Sequence, residues 1–172
     1  MVEAKADPNV APTEEPAFER FFHDEYTRLC RALYLVTGDT GEAEDIAQEA
    51  MVRVFERWGN VSRAASPVDY LYRVALNVHR SRLRRHLVRR RKEPRPLATD
   101  PLGAVEDRRE IGDLLARLPR GQREAVVLVE WLGMSAEEAA SVLGIQAVSV
   151  RVRISRAKAS LRTPTRDPEE ET

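Results

Sequence analysis

The chain has 172 residues, of which 42% are apolar and 33% charged, and its 28 basic and 28 acidic side chains cancel. This length allows one ordinary domain or two small ones. A net charge of zero excludes a uniformly basic or acidic protein, but local fields still act over ~8–10 Å. Aromatic residues make up only 6% and glycine is scarce, so we expect helices around an aliphatic, alanine-rich core.

The single cysteine, Cys30, excludes an internal disulfide and fits a reducing cytosol. It lies in a segment with helical apolar periodicity, which favours a buried core thiol, with a redox sensor as the alternative. No apolar stretch approaches the ~18 residues of a membrane span, and the N-terminus has no hydrophobic signal region. We therefore expect a cytoplasmic protein without membrane insertion.

The chain begins with a segment that has no periodicity. Residues 1–16 are rich in proline and acidic residues, which predicts a disordered arm. Apolar residues then recur at helical spacing, and the first helix should end near Gly38. These apolar residues are Phe18, Phe21, Phe22, Tyr26, Leu29, Leu33 and Val36.

The second predicted helix has the clearest periodicity in the sequence. Its apolar stripe comprises Ala43, Ile46, Ala47, Ala50, Met51, Val54, Phe55 and Trp58. Its other face carries Asp39, Glu42, Glu44, Asp45 and Glu49, in a window without Arg or Lys. The helix dipole explains acidic residues in the first turn, such as Glu42 and Glu44. It explains Asp45, Gln48 and Glu49 less well, because they lie deeper in the helix.

A third helix is predicted to begin after Ser66, with Pro67 in the first helical position and Asp69 completing a capping-box pattern. Residues 70–92 contain nine Arg or Lys and no Asp or Glu. The buried stripe is Leu71, Val74, Ala75 and Val78, and one shared face carries Arg73, Asn77, Arg80 and Arg84. This face favours polyanion binding; a solvated surface is the alternative, and too few apolar residues accompany it for membrane binding.

Residues 93–107 contain three prolines and a glycine, which predicts a flexible linker. The expected fold class is therefore all-α, with two small helical domains. After the linker, a short helix marked by Ile111, Leu114, Leu115 and Leu118 should end at Pro119. Another is marked by Val126, Val127, Val129, Trp131 and Leu132, and its β-branched residues require burial.

The last two predicted helices are joined by a tight turn and indicate a helix-turn-helix. Ser135 and Glu138 predict a capping box before a helix over 137–143, and Gly144 fits a turn that needs a positive φ.

The second helix should cover 147–161, with Val150, Ile154, Ala157 and Leu161 inward. Its exposed face and the neighbouring positions should point into a major groove of DNA. These residues are Arg151, Val152, Arg153, Ser155, Arg156 and Lys158. An arginine-rich surface helix without a DNA role is the alternative.

The sequence contains no recognisable catalytic or metal-binding pattern. The three histidines, His23, His79 and His86, have no cysteine or carboxylate at ligand spacing. There is no glycine-rich phosphate loop, nucleophile elbow or HExxH pattern. We therefore expect no enzyme activity, no metal and no cofactor.

Three segments together carry a family resemblance. "GDTGEAEDIAQEAMVRVFERW", "SPVDYLYRVALNVHRSRLRR" and "LLARLPRGQREAVVLVEWLGMSAEEAASVLGIQAVSVRVRISRAKASLR" occur in this order, with the linker between the last two. Over about residues 18–161 the chain resembles the extracytoplasmic-function (ECF) sigma factors, minimal relatives of sigma-70. The resemblance implies helical domains at 17–92 and 108–162 that bind RNA polymerase core enzyme and promoter DNA, before an acidic disordered tail at 163–172. Many members are also held by an anti-sigma protein, but no segment here identifies one.

The resemblance also implies roles for individual residues. Core polymerase would be bound, through a basic-faced coiled coil of its largest subunit, by Asp45, Gln48 and Glu49. The minus-ten element, where a base is flipped from the opened duplex, would meet Arg73, Asn77, Arg80 and Arg84. The minus-thirty-five element would be bound by Ser149, Arg151, Val152, Arg153, Ser155 and Arg156.

Some positions depart from the family pattern. Tyr70 stands where tryptophan is usual, Ser81 where many members have aspartate, and Gln146 where proline is common. Val148 replaces a usual glycine and Val152 a common serine, which leaves the upstream sequence preference open but not the mode of binding. The alternative functions are a stand-alone helix-turn-helix regulator, a helical adaptor that only sequesters a partner, and an enzyme. The stand-alone regulator would leave the acidic face of the second helix unexplained.

Overall fold

The computed structural model describes residues 15–89 and 106–162, and every regular element within them is helical. The first half contains α1 (Glu15–Thr37), α2 (Thr40–Phe55), α3 (Trp58–Val61) and α4 (Pro67–Arg89). The second half contains α5 (Glu106–Ala116), α6 (Arg120–Val126), a π-helix (Val127–Trp131), α7 (Ala136–Leu143) and α8 (Ala147–Arg162). The predicted all-α fold class is confirmed.

Two of the segments expected to be irregular overlap these helices at their ends. The expected arm, 1–16, overlaps the start of α1 at Glu15, and the expected linker, 93–107, overlaps the start of α5 at Glu106. The remainder of both segments, and the expected tail at 163–172, lie outside the described residues.

Short-range signals set the ends of the helices in the first half. The Ser66 side-chain oxygen accepts a hydrogen bond from the Asp69 N–H at 3.1 Å, so α4 begins as predicted. Gly38, with a φ of +73°, follows the end of α1. Asp39, assigned from sequence to the acidic face, instead caps α2 by accepting from the Glu42 N–H at 2.7 Å.

A continuous aliphatic core runs through both halves. The part of the predicted α2 stripe that is at most 2% exposed comprises Ala43, Ile46, Ala47, Ala50, Met51 and Val54. Helix α4 packs against both α2 and α7, and Tyr72, Leu76 and His79 are buried in addition to its predicted stripe, of which Val74 is only partly buried. Cys30 is buried in the same core, and this burial raises the pKa of its thiol. The thiol environment therefore favours a structural cysteine over a redox sensor.

Helix α5 follows its predicted pattern only in part. It ends at Ala116, three residues earlier than expected, and Leu115 and Leu118 are buried. Ile111 and Leu114 are 40% and 42% exposed. The difference arises because α5 packs against α1 along one side, so that part of its apolar surface faces solvent.

The helix predicted to continue to Leu132 changes character after Val126. Val127–Trp131 forms a π-helix, closed by a hydrogen bond from the Leu132 N–H to the Val127 carbonyl at 3.0 Å. A π turn contains an additional residue and rotates the following side chains away from the 3.6-residue pattern. Trp131, counted with the apolar positions from sequence, is consequently 43% exposed.

Arginine side chains join the two halves by binding the carbonyl ends of helices. Arg123 donates to the Val36 carbonyl at the end of α1 (3.0 Å) and to the Ala116 carbonyl at the end of α5 (2.7 Å). Arg28 donates to the Leu132 carbonyl after the π-helix at 2.8 Å. The last carbonyls of a helix have no partner within it, so these cations satisfy them and fix one half against the other.

Candidate protein and nucleic-acid interfaces

The acidic face of α2 lies on the side of the helix that points away from the core. The Asp45 side chain is 68% exposed and the Glu49 side chain 29% exposed, and Gln48 is exposed between them. Spacings of three and four residues place these side chains on one side of the helix. The structure therefore brings together the three residues predicted to bind polymerase, on a surface that suits a basic partner.

Arg82 of α4 also reaches this surface, which the sequence did not indicate. Its Nη2 lies 2.8 Å from Glu49 Oε2, and its Nη1 lies 3.5 Å from Asp45 Oδ2. Arg53 approaches the other oxygen of Glu49 at 2.6 Å. Mainly through the Arg82 hydrogen bond, the pKa of Glu49 is held below its usual range. Asp45 is thus the carboxylate most available to a partner.

The basic face of α4 contacts the second half of the molecule. Arg80 Nη2 lies 2.8 Å from Glu124 Oε2 of α6, and its Nε lies 3.5 Å from the other carboxylate oxygen. The Glu124 side chain is only 2% exposed. Arg73 Nη2 donates to the Ser141 hydroxyl of α7 at 2.7 Å. Two of the four residues predicted for the minus-ten element are therefore bound by α6 and α7.

The other two predicted residues on this face remain in solvent. Asn77 and Arg84 are exposed, and among the described residues Arg84 donates to the Ser81 hydroxyl of its own helix at 3.0 Å. The face predicted from sequence therefore exists, but it is divided between a contacted part and an open part.

The helix-turn-helix of α7 and α8 has the predicted local geometry. Ser135 and Glu138 form a reciprocal capping box at the start of α7, with distances of 3.1 Å and 2.7 Å. Gly144 has φ +68° and ψ +38°, a left-handed conformation that strains other residues, and the chain turns there into α8. Val150 and Ala157 are fully buried, so the opposite side of α8 faces outward.

The structure sorts the six residues predicted for the minus-thirty-five element into two groups. The exposed members are Arg151, Val152, Ser155 and Arg156. Ser149 and Arg153 are half-buried. The Arg153 guanidinium lies over Gly121 of α6, with Nη1 3.2 Å from the position that a Cβ would take there. Arg153 therefore packs against α6 on the flank of the exposed surface.

Exposed carboxylates bind some of the cations of α8. Arg151 pairs with Glu137 of α7 at 2.5 Å, and Lys158 pairs with Glu130 at 2.8 Å. A hydrogen bond from its own backbone and the contact with Arg151 hold the pKa of Glu137 below its usual range. Arg156 has no hydrogen bond or ion pair with any residue that the structure describes.

The described residues contain neither a metal-binding cluster nor a membrane-spanning helix. Across 15–89 and 106–162, no group of three or more His, Cys, Asp or Glu side chains could hold a metal ion. In that part of the chain, no helix combines the length and the apolar character needed to cross a membrane.

Comparison with known proteins decides the family. The family models for Sigma-70 region 2 and Sigma-70 region 4 match residues 21–89 and 108–161. The ECF RNA polymerase sigma factor SigM of Mycobacterium tuberculosis is 32% identical over 148 residues, which cover 84% of this chain and 75% of SigM. The chain belongs to the ECF family of RNA polymerase sigma factors. The resemblance seen in the sequence is thereby confirmed.

Further relatives of this sigma factor differ in length and in similarity. The probable RNA polymerase sigma factor RfaY of Xanthomonas campestris is 30% identical over 74% of this chain, which spans only 35% of RfaY. The sigma factor RpoE, solved in complex with the anti-sigma factor NepR from Bartonella quintana, has a TM-score of 0.72 and 20% identity. The match covers 84% of this chain and 94% of RpoE, and it supports the fold of two helical domains.

The sequence interpretation did not indicate that Arg82 and Glu124 bind predicted site residues of this sigma factor. Arg82 lies two positions after Arg80, which places it about 200° around α4 and toward α2. Glu124 lies in the apolar segment of α6, where a carboxylate needs a buried partner. The apolar run "AVVLV" beside it was the available signal, but it does not identify which cation provides that partner.

Proposed function

We propose that this sigma factor directs RNA polymerase core enzyme to specific promoters and initiates strand opening. The observation that carries the proposal is an exposed acidic surface on α2 in the same chain as basic surfaces on α4 and α8. A carboxylate surface suits a basic protein partner, and guanidinium groups suit phosphates and base edges. One chain can thereby join a protein to DNA.

The proposed contact with core polymerase is made by Asp45, Gln48 and Glu49. Asp45 contributes most to it, because its side chain is 68% exposed. Glu49 contributes less, because Arg82 and Arg53 already neutralise it at 2.8 Å and 2.6 Å. The proposed partner surface is the basic-faced coiled coil of the largest subunit that the family resemblance implies.

The proposed DNA contacts divide between the two halves. On α4, the residues proposed for the minus-ten element are Arg73, Asn77, Arg80 and Arg84. On α8, the residues proposed for the minus-thirty-five element are Ser149, Arg151, Val152, Arg153, Ser155 and Arg156. Since Arg73 and Arg80 already bind α7 and α6, those contacts must be replaced before both side chains reach DNA.

The proposed role is non-catalytic, since this chain supplies binding surfaces while the polymerase supplies the chemistry. The proposed domains are 17–92 for core polymerase and the minus-ten element, and 108–162 for the minus-thirty-five element. The proposed place of action is the cytoplasm, at the nucleoid, where polymerase meets promoters. An anti-sigma protein is a further proposed partner, on the family resemblance alone.

In vitro transcription on a genomic promoter library tests the proposal. We expect promoter-specific transcripts only when core polymerase and this protein are both present. A stand-alone regulator would instead retard duplex DNA by itself and add no transcripts. That outcome would refute the proposed function.

A charge-reversal variant tests the polymerase contact. Asp45→Arg should weaken binding to core polymerase by at least about tenfold, because it places like charge against a basic partner. It is a cleaner variant than Glu49→Arg, which would add a cation beside Arg82 and Arg53. Asp24→Arg on α1 is the matched control, since that side chain is 75% exposed and carries the same charge. Equal core affinity of Asp45→Arg and the control in a pull-down titration would refute the assignment.

A further inference from the structure

Two exposed valines lie on the outward side of α8. Val148 is 56% exposed and Val152 is 43% exposed, and they are one helical turn apart. Valine is not a favoured helix residue, and these two gain little from burial within the chain. Single exposed apolar residues are normal on protein surfaces, but this pair occupies the helix that carries the proposed upstream DNA contacts.

The pair lies at the centre of that outward surface. The central positions are Val148, Val152, Ser155 and Ala159. At about 100° per residue they span an arc of roughly 60°, opposite the buried side of the helix. Arg151 and Arg156 lie roughly 40° beyond the two edges of the arc. The surface therefore has a small, largely apolar centre between two guanidinium groups.

This pattern fits the floor and walls of a DNA major groove. The C5-methyl of thymine is the apolar group among the base edges in that groove, and phosphates and guanine edges attract arginine. The N-terminal part of a recognition helix approaches the bases most closely, and the two valines are the second and sixth residues of α8. We infer that Val148 and Val152 bind thymine C5-methyl groups in the upstream promoter element. The inference rests on the proposed function, since it requires α8 to enter duplex DNA.

The charge around the valines favours DNA over a protein as the occupant. A stable protein interface buries about 800 Å² on each partner and has few charged residues at its centre. Here the apolar part of the centre consists of two valines and Ala159, with Arg151 and Arg156 at its edges. Arg151 is held by an exposed glutamate, Glu137, and Arg156 has no side-chain partner in the described parts of the chain. Both guanidinium groups are therefore placed to bind a polyanion.

Deoxyuridine substitution tests this inference, because it removes only the methyl group. The holoenzyme of core polymerase and this protein is first used to select its preferred upstream duplex from a random library. Each thymine of that duplex is then replaced singly, and the affinity ratio of the thymine and deoxyuridine duplexes is measured. We expect a loss of about fourfold at two positions, one for each valine, the equivalent of one buried methyl group at each. Val148→Ala and Val152→Ala should each bring the ratio close to one at a different position.

Val52→Ala is the matched control, since Val52 is 57% exposed on α2 and undergoes the same chemical change. A change in polymerase affinity would alter the binding of the thymine and deoxyuridine duplexes equally, so it cancels in their affinity ratio. The control should therefore keep the fourfold ratio. Neutral deoxyuridine substitutions in a duplex that is still bound would overturn the inference and leave the proposed function intact. A methyl dependence that survives in both α8 variants would also overturn it. Failure to select any duplex or to produce transcripts would overturn the proposed function, and the inference with it.

Discussion

The basic faces of α4 and α8 differ in what already binds their guanidinium groups. On α4, Arg80 pairs with Glu124, which is 2% exposed, and Arg73 binds Ser141, both in the other half of the molecule. On α8, Arg151 pairs with Glu137, whose side chain is 65% exposed. An exposed pair is screened by solvent and easily replaced, whereas a buried carboxylate depends on its partner.

This difference shows that two basic faces of similar composition can differ in the contacts that DNA must displace before it binds them. The face of α8 is presented outward, so DNA needs to displace only exposed contacts. The contacted part of α4 becomes available only when α6 and α7 give up their bonds to Arg80 and Arg73. Binding of DNA by those two arginines and their present contacts with α6 and α7 therefore exclude each other.

The largest expected effect comes from removing the buried partner on the α4 side. Glu124→Ala leaves the Arg80 guanidinium partly buried without its carboxylate, and breaking a buried pair costs about 3–5 kcal/mol. We expect about 3 kcal/mol, the lower end of that range, because Arg80 keeps 21% exposure. The loss should appear in urea unfolding of the full chain.

Glu137→Ala on the α8 side is the control for this variant. It removes the carboxylate of an exposed pair, so unfolding should not change measurably. Equal losses in Glu124→Ala and Glu137→Ala would contradict the distinction between the two faces.

The next effect concerns the two steps of promoter binding. Arg156→Ala should weaken closed-complex formation, by ~1–3 kcal/mol for a base contact or with a salt slope reduced by about one for a phosphate contact. Asn77→Ala should bind the closed promoter nearly normally and open it slowly, because its amide suits an exposed base. Filter binding measures the first property, and permanganate footprinting measures the second.

A pre-melted minus-ten bubble provides the control for these two variants. It should rescue much of the Asn77→Ala defect and little of the Arg156→Ala defect. Equal rescue of both variants, or a normal opening rate for Asn77→Ala, would contradict the assignment of melting to α4.

A smaller effect tests how α8 is held. Gly144→Ala places a side chain at φ +68° and should cost about 1–2 kcal/mol, since a left-handed conformation strains an L-residue. The orientation of α8 should suffer, and upstream duplex binding should weaken with it. Gly41→Ala in α2 is the control, because its added Cβ would meet only Asp39 Oδ1 at an ordinary 3.5 Å. Similar unfolding curves for both variants would show that the turn does not depend on glycine.

The sequence predicted those features that depend on neighbouring residues. The caps at Ser66 and Ser135 and the left-handed turn at Gly144 are short-range, so the residue types themselves indicate them. The partners of Arg80 and Arg82 lie 44 and 33 residues away along the chain. No periodicity within one helix contains that information, because the packing of helices sets it.

Helix packing also explains why the sequence-based predictions for α5 and for the segment after α6 were only partly correct. The apolar spacing of Ile111 and Leu114 predicted a helix correctly, but their exposure depends on how much of α5 the neighbouring helix covers. The π-helix at Val127–Trp131 changes the periodicity itself. A search for a 3.6-residue repeat therefore assigned Trp131 to an apolar pattern that it does not continue.

The smallest expected effect is the pH-dependent contribution of the Arg82–Glu49 ion pair, which joins α2 and α4, to the stability of the fold. The Arg82 hydrogen bond holds the pKa of Glu49 below its ordinary value of 4.5. A depressed carboxyl pKa stabilises the folded state above the pKa of the unfolded chain, and this stabilisation is lost as pH falls through the folded value. The Glu49 side chain is 29% exposed, so we expect a contribution below about 1 kcal/mol.

Arg82→Met should therefore reduce stability at neutral pH and flatten the loss of stability below about pH 5, where unfolded carboxyls begin to take up protons. Arg84→Met is the control, because Arg84 is exposed on the same helix and, within the described parts of the chain, donates to Ser81 and not to a carboxylate. The measurement is urea unfolding at a series of pH values for the wild type and both variants. Parallel curves for the wild type and Arg82→Met would mean that Arg82, although paired with Glu49, does not favour the charged form of that carboxyl group. Curves that converge at low pH would show that Arg82 holds α4 on the acidic face of α2 through that charge.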